Sequence, residues 1–92
     1  MFDQELSHIQ AKVRALEYVV TIHADEEMDN DGLSIFNVEQ VILTGQIVER
    51  QQDRQTQEWK YLIKGQTNDN LDVIVVVKHS TTAMVIITVY VE

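Results

Sequence analysis

Ninety-two residues are enough to bury one hydrophobic core and too few for two, so we predict a single domain over residues 1–92. Seven Lys and Arg against 15 Asp and Glu give a net charge of −8, which disfavours non-specific binding to nucleic acid or anionic membranes through bulk charge. The absence of cysteine excludes disulfides and thiolate metal sites. The N-terminal sequence MFDQELSH lacks the basic and apolar regions of a signal peptide, and the apolar run Val73 to Val77 is far shorter than the ~20 residues of a membrane helix. We therefore expect a cytoplasmic protein.

An amphipathic helix is predicted from about Asp3 to Glu17. Its apolar positions recur at steps of three and four residues, at Leu6, Ile9, Val13 and Leu16. The segment Tyr18 to Ile22 that follows is β-branched and aromatic but short, so it is either a strand or a buried connection.

Two shorter helices follow. His23 to Asp29 places two apolar residues four positions apart, and Gly32 can adopt the positive φ of a helix end. Ser34 is a good N-cap for the third helix, which ends at Gly45. The apolar stripe of that helix is formed by Val38, Val41 and Ile42.

After Gly45 the apolar period changes to two, the period of a strand. Turns are predicted over residues 51–57, 65–70 and 80–82. They separate strands over Gln46 to Arg50, Trp59 to Lys64, Leu71 to His79 and Ala83 to Val91. The connections are too short for crossovers, so we expect an antiparallel sheet of about four strands and, with the helices first, an α+β fold. Both faces of the last two strands are apolar, so the face without helices needs loops, a second copy or a partner as cover.

The acidity is concentrated in the helical part. Residues 1–45 carry a net charge of −7 and residues 46–92 a net charge of −1, and five of the nine acids in the first part lie within Asp25 to Asp31. The segment Arg50 to Lys64 has the opposite sign, at +2. We therefore expect an acidic helical side and a basic hairpin.

The spacing Glu27-x-Asp29-x-Asp31-Gly32 matches the opening of a calcium-binding loop, in which alternate carboxylates converge on one ion. The match fails further along, where Val38 stands in place of the bidentate carboxylate, so a solvated turn is the simpler interpretation. No zinc motif and no glycine-rich phosphate loop is present in the sequence, and we expect no cofactor and no metal.

Three lysines and a tyrosine lie where a sheet could bind a phosphodiester. Lys60 and Lys64 share one face of their strand, and Lys78 and Tyr90 come from the two later strands. Cations in such an arrangement stabilise the dianionic transition state of RNA cleavage. The alternative is that these are ordinary edge-strand lysines, which discourage aggregation.

Two histidines are candidates for proton transfer. His23 precedes Glu26 and Glu27 by three and four residues, so on a helix a carboxylate could orient its imidazole as in a general base. The alternative is a histidine that hydrogen-bonds at the start of a helix. His79 follows Lys78 at a strand end, where an ordinary surface position is the alternative.

Four segments carry a resemblance to a known family: TIHADEEMDNDGLSIFNVEQVILTGQIVERQ, EWKYLIKG, VIVVVKHS and IITVYVE. They resemble a family of small bacterial, often cyanobacterial, domains of unknown function, whose signature opens with Thr-x-His-Ala and closes with Thr-Val-Tyr. The resemblance runs from Tyr18 to the end of the sequence. That family is similar in turn to the toxin partner of type II toxin–antitoxin pairs, in the RelE and MqsR-like ribonuclease fold, and is often paired with a YgiT-type zinc-finger antitoxin.

The resemblance implies helices followed by an antiparallel sheet, and a metal-independent endoribonuclease that uses the RNA 2′-hydroxyl as nucleophile. The residues that fit its motifs are His23, Ala24, Glu26, Met28, Gly32, Ser34, Tyr61, Gly65, Thr88 and Tyr90. Many relatives carry Arg in place of Glu27 and Asp31. This difference moves the expected RNA contact from the His23 segment to the hairpin and the later strands.

Two hypotheses from different classes follow. The first is a toxin-like endoribonuclease, active or degenerate, in which a histidine transfers the proton, lysines stabilise the phosphate and a tyrosine stacks or hydrogen-bonds. Its candidate catalytic residues are His23, Lys60, Lys64, Lys78, His79 and Tyr90, and its partners would be RNA and a zinc-finger antitoxin. The second is a non-catalytic acidic interaction module, whose acidic segment docks a basic partner and whose apolar sheet forms a homodimer or heterodimer.

Overall fold

The computed structural model describes residues 1–79 and 83–92, and these contain three helices and five strands. The helices are α1 (Asp3–Arg14), α2 (Ile22–Asn30) and α3 (Ile35–Thr44), and the strands are β1 (Val19–Val20), β2 (Gln46–Gln52), β3 (Trp59–Gln66), β4 (Asp72–His79) and β5 (Met84–Val91). The predicted α+β fold is confirmed. The turn predicted over residues 80–82 lies outside the described residues. Within those that are described, no helix has the length and apolar character needed to cross a membrane.

α1 forms because its apolar stripe faces the core, where Ile9 and Val13 are buried. The helix ends three residues before the predicted boundary, because Leu16 adopts a left-handed conformation with φ of 57°. The Leu16 N–H donates to the Val13 carbonyl at 3.0 Å, and the Glu17 N–H donates to the Lys12 carbonyl at 2.9 Å. This pair of hydrogen bonds is a Schellman motif, in which the left-handed position is usually occupied by glycine.

Side-chain caps begin the other two helices. The Thr21 hydroxyl accepts a hydrogen bond from the Ala24 N–H at 3.1 Å at the start of α2. At the start of α3, the Ser34 hydroxyl accepts from the Asn37 N–H at 3.2 Å, and the Asn37 side chain accepts from the Ser34 N–H at 2.8 Å. This reciprocal capping box confirms the predicted N-cap.

The strands form one mixed sheet in the order β1-β5-β4-β3-β2. β2 to β5 are antiparallel neighbours, as predicted, and β1 adds a fifth strand parallel to β5. The segment Tyr18 to Ile22 therefore contains a strand, of only two residues. The apolar period could not distinguish a strand from a buried connection in this segment, because two residues are too few to show a period.

The helices cover one face of the sheet, and the main core lies between the two layers. The fully buried side chains of this core are Ile9, Val13, Val38, Val41, Ile42, Ile63, Val73, Val75, Val77, Met84, Ile86 and Val89. On the opposite side of β4, Ile74 and Val76 are only 3% and 8% exposed, although they stand outside this core. We call this opposite surface of the sheet the outer face.

Two glycines allow α3 to approach the sheet closely. Gly45 directly follows α3, and a Cβ atom there would overlap the carbonyl oxygens of Val41 and Lys64. Gly65 lies in β3, and a Cβ atom there would lie 2.8 Å from the Val41 carbonyl oxygen. A side chain at either position would displace main-chain atoms, so the contact between α3 and β3 requires glycine at both.

We predict that Leu16→Gly stabilises the fold by about 0.5 to 1 kcal/mol, because the left-handed conformation costs a non-glycine residue more than glycine loses in chain entropy. Leu16 is 72% exposed, so little packing is lost. Urea unfolding would measure the change. Leu16→Ala is the matched control, since it removes the side chain and keeps the backbone strain; a glycine variant no more stable than the alanine variant would contradict the prediction.

Candidate functional site

Four of the six predicted catalytic residues project from the outer face. Side chains alternate along a strand, and Lys60, Lys64 and Lys78 have the opposite parity to the buried core positions of β3 and β4. Lys60 and Lys78 are direct cross-strand neighbours. Lys64 lies four residues further along β3, roughly 13 Å away, in a row that continues through Ile74 to Tyr90. The outer face therefore holds its cations as one close pair and one separate lysine.

Lys78 is neutralised by the hairpin that joins β2 to β3. Its Nζ lies 3.4 Å from an Asp53 carboxylate oxygen and 3.6 Å from a Glu58 carboxylate oxygen. Hydrogen bonds from the N–H groups of Gln55 and Thr56, together with Lys78, hold the pKa of Asp53 below its usual value. Asp53 is therefore fixed in its charged form opposite Lys78.

Lys64 is paired as well. Its Nζ lies 2.6 Å from a Glu92 carboxylate oxygen, and this contact raises the pKa of Lys64. Lys60, in contrast, forms no ion pair with any residue in the ranges 1–79 and 83–92. Two of the three predicted phosphate-binding lysines are thus already engaged by carboxylates, and the positive potential of the outer face is small.

His79 lies on the helix side of the sheet, at the end of β4. Its ring lies 6.1 Å from the His8 ring of α1, centroid to centroid. Burial lowers the pKa of His79, and the nearby His8 and Lys12 lower it further. His79 also lines a cavity of about 270 Å³ with Lys78 and Glu58, but its ring points to the face opposite the predicted lysines, because neighbouring side chains alternate along a strand.

His23 lies on the same helix-covered face, in the first turn of α2. Its Nε2 is 3.3 Å from a Glu27 carboxylate oxygen, as the predicted spacing suggested, and its side chain is 68% exposed. The same Glu27 oxygen accepts a hydrogen bond from the Val89 N–H of β5 at 3.0 Å. α2 packs against β5 on the helix-covered face, whereas Lys60 and Lys78 point to the outer face, so the fold does not place His23 beside this pair.

The acidic segment does not form a calcium-binding loop. Glu27 and Asp29 belong to α2, where residues two apart point to nearly opposite sides of the helix. Among the described residues, no group of three or more His, Asp or Glu side chains is arranged to hold a metal ion.

The sequence analysis missed the role of Arg50. Its guanidinium lies 4.1 Å from the centre of the Trp59 ring and 5.5 Å from that of Phe2. It also lies 3.9 Å from a Glu5 carboxylate oxygen of α1. Arg50 thus ties the N-terminal end of α1 to the hairpin through cation–π contacts and is not part of the outer face. Its position opposite Tyr61, a core residue, could have indicated this once the register was known.

Comparison with known proteins places the chain in one family. The model of the DUF4258 family, described as a domain of unknown function, matches residues 20–91, and the chain belongs to this family. The predicted resemblance to a family of domains of unknown function is therefore confirmed over nearly the range expected. No curated protein and no solved structure matches the chain.

We predict that lowering the pH from about 7.5 to about 5.5 destabilises the protein through His79. The folded-state pKa lies below the ordinary value of 6.5, so the unfolded chain takes up a proton first and stability is lost as the pH falls through 6.5. His8 and Lys12 of α1 oppose protonation of His79, and Glu58 is the carboxylate that lines the same cavity.

The measurement is urea unfolding of the wild type and of His79→Gln at both pH values. The variant should show a weaker pH dependence. An identical pH dependence in the two proteins would contradict the assignment to His79.

Proposed function

We propose that this chain is a non-catalytic acidic interaction module, in which two copies pair through the outer faces of their sheets. The observation that carries the proposal is that the outer face has an apolar floor while two of its three lysines already pair with carboxylates of the same chain. A ribonuclease needs cations free to bind phosphate, whereas a protein interface needs apolar area with balanced charge at its rim.

The apolar floor is continuous across three strands. Leu62, Val76 and Thr88 form one cross-strand row, and Ile74 and Tyr90 belong to the next row. Leu62 and Thr88 are half-buried, and Tyr90 is 39% exposed. Leu62, Thr88 and Tyr90 offer contact area to a second surface, whereas Ile74 and Val76 beneath them are already buried.

The charges at the rim suit a contact between identical surfaces. Three lysines stand with five acids, namely Lys60, Lys64, Lys78, Glu49, Asp53, Glu58, Asp72 and Glu92. A two-fold symmetric contact brings each group of one copy against groups of the other, so a patch with both signs can complement itself. A patch of a single sign would repel its copy.

The size of the face predicts weak association. Strands of about eight residues spaced about 4.8 Å apart give the four strands β2 to β5 a face of roughly 500 Å². Standard interfaces bury ~800 Å² on each partner. We therefore expect a dissociation constant of roughly 100 μM.

Sedimentation equilibrium from about 10 μM to about 1 mM should show a monomer that becomes a dimer, with a midpoint near that dissociation constant. Leu62→Lys should weaken the dimer about tenfold or more, because it places a charge in the apolar floor. Phe36→Lys is the matched control, since Phe36 is 75% exposed on α3 and lies away from the outer face. A monomer at every concentration, or a Leu62→Lys protein that dimerises like the wild type, would refute the proposal.

The second candidate is the metal-independent endoribonuclease implied by the resemblance to RelE and MqsR-like toxins, with RNA as substrate and a zinc-finger antitoxin as partner. One observation favours it: Lys60, Lys64, Lys78 and Tyr90 share one face, although the His79 ring lies on the opposite face, beside His8. In this mechanism a histidine takes the proton of the 2′-hydroxyl, and the oxygen attacks the adjacent phosphorus. The P–O5′ bond breaks and the leaving O5′ takes a proton from water, which leaves a 2′,3′-cyclic phosphate and a 5′-hydroxyl.

If the ribonuclease candidate holds, purified chain should cleave end-labelled RNA in the presence of EDTA. Lys60→Ala should reduce the rate about 100-fold, because Lys60 is the outer-face lysine that forms no ion pair with another described residue. Lys12→Ala, a lysine of α1, serves as the control. RNA that stays intact with well-folded protein would eliminate this candidate and leave the interaction module.

A further inference from the structure

The sheet ends differently at its two edges. On the β5 side, β1 pairs with Val85 and Ile86, and the Glu27 carboxylate accepts a hydrogen bond from the Val89 N–H. On the other side β2 is the last strand, and no strand within residues 1–79 or 83–92 pairs with its outer side. The residues Gln46–Gln52 of β2 therefore form an open edge of the sheet.

The hydrogen bonds of the hairpin show which main-chain groups of β2 point outward. The Asp53 N–H donates to the Glu58 carbonyl at 2.8 Å. Opposite residues of an antiparallel pair alternate between those that exchange hydrogen bonds and those that do not. In this register Gln51 bonds to β3, and the N–H and C=O groups of Arg50 and Gln52 point away from it. These are the groups with which an added strand pairs.

A cavity of about 370 Å³ adjoins this edge. It lies between the N-terminal end of α1, with Phe2 and Leu6, and the start of β2, with Ile47 and Val48. Leu6 and Ile47 also pack against the core, so the cavity lies on the helix-covered face. The Arg50 guanidinium lies on the same face, 5.5 Å from the centre of the Phe2 ring. The cavity and the open edge are therefore parts of one surface.

The cavity suits an apolar side chain of an added strand. Val48, at a β-bulge on its rim, is 54% exposed. Cavities that hold whole ligands measure roughly 300 to 1,000 Å³, so this one has room for one or two side chains and not for a large cofactor. In an added antiparallel strand, every second side chain points to the helix-covered face. The one that follows the partner of Arg50 on this face comes level with Val48 and the cavity.

The charge at this surface favours a basic segment. Asp3 lines the cavity, is exposed and forms no ion pair with another residue of the ranges 1–79 and 83–92. Arg50, in contrast, already lies 3.9 Å from a Glu5 carboxylate oxygen and stacks on the Trp59 ring. With the net charge of −8, this arrangement attracts a lysine or arginine and repels an acidic segment.

The β2 strand of a second copy fits this surface less well. Its residues with outward main-chain groups are Arg50 and Gln52, and both carry polar side chains. Neither supplies an apolar group to the cavity. A segment of a different protein meets the requirements of the surface better than β2 itself.

We propose that the open edge of β2 binds an extended basic segment of a partner protein as a sixth, antiparallel strand. A large apolar side chain of that segment fills the cavity, and a lysine or arginine beside it pairs with Asp3. Strand addition of this kind draws affinity from main-chain hydrogen bonds and specificity from pockets for alternate side chains. The proposal does not rest on the dimer, because the floor of the outer face belongs to β3, β4 and β5.

The probe is a fluorescently labelled peptide, Lys-Thr-Val-Thr-Leu-Thr-Lys. Its valine, leucine and lysines lie on one face of the strand, and its threonines lie on the other. We expect it to bind the full chain, as measured by fluorescence anisotropy. A peptide with serine in place of leucine should bind at least about tenfold more weakly, and one with glutamates in place of both lysines about threefold or more.

Methylated main-chain nitrogens test strand pairing directly. A peptide residue that exchanges hydrogen bonds with Arg50 has its side chain on the same face as Arg50, so the N–H groups of the valine and the leucine point to β2. Methylation of these two nitrogens should weaken binding at least about tenfold. Methylation of the two threonine nitrogens on either side of the leucine is the matched control and should change binding less than about threefold.

Variants of the chain test the same contacts from the other side. Gln52→Pro removes an outward N–H and keeps the hydrogen bonds to β3, so it should weaken binding about fivefold or more relative to Gln52→Thr. Val48→Ser and Asp3→Lys should each weaken it about threefold or more. Phe36→Ser and Asp69→Lys are the matched controls, because they change exposed residues elsewhere. Circular dichroism checks that each variant is folded, and the methylated peptides decide the question with the wild type alone.

Three results would overturn the proposal. The first is no binding of the peptide at concentrations up to about 1 mM. The second is equal binding of the two methylated peptides. The third is a dimer that Gln52→Pro abolishes in a chain that binds no peptide, which would assign the edge to a second copy. Peptide binding that persists in Leu62→Lys would show that the edge acts separately from the outer face, and would support the proposal.

Discussion

The contact between the end of α3 and β3 determines how the rest of the chain is arranged. Gly45 and Gly65 let the carbonyl of Val41 lie directly against the main chain of β3. The chain passes there from helix to sheet without a long loop, so α3 packs directly on β3 and β4. α1 packs against α3 and α2 packs against β5, and the outer face is left to its own side chains. Any residue other than glycine at Gly45 or Gly65 would bring a Cβ atom against main-chain atoms, and no choice of rotamer can relieve that overlap.

Two of the three lysines on the outer face form ion pairs with carboxylates of the same chain. The hairpin between β2 and β3 brings Asp53 and Glu58 to Lys78, and the last residue brings a carboxylate to Lys64. The hairpin that the sequence predicts as basic is less basic in space, because two of its cations pair with carboxylates from outside it, Arg50 with Glu5 and Lys64 with Glu92. A net charge of −8 and paired lysines both favour a protein partner over a polyanion.

Much of the fold follows from local patterns in the sequence. The stripe of α1, the Ser34 cap and the four long strands are each encoded within about a dozen residues, so periodicity and capping chemistry predict them. β1 and its parallel pairing with β5 depend on a contact across more than sixty residues, which no local pattern records.

The candidate site was predictable only in part. The parity of Lys60 and Lys64 is local, but the positions of His23 and His79 depend on which helix packs against which strand. The carboxylates that bind the lysines depend on tertiary contacts as well.

The hydrogen bond from the Val89 N–H to Glu27 also limits how the sheet can grow. β1 pairs with only two residues of β5, Val85 and Ile86. Without Glu27, the N–H of Val89 further along β5 would be available to a strand from another molecule. The Glu27 carboxylate occupies that amide and places a negative charge where an incoming carbonyl would have to lie. Edge-to-edge pairing of sheets from different molecules is thereby disfavoured on this side. Arginine in place of Glu27 could not accept this hydrogen bond, so another group would have to cover the edge or the edge would stay open to pairing.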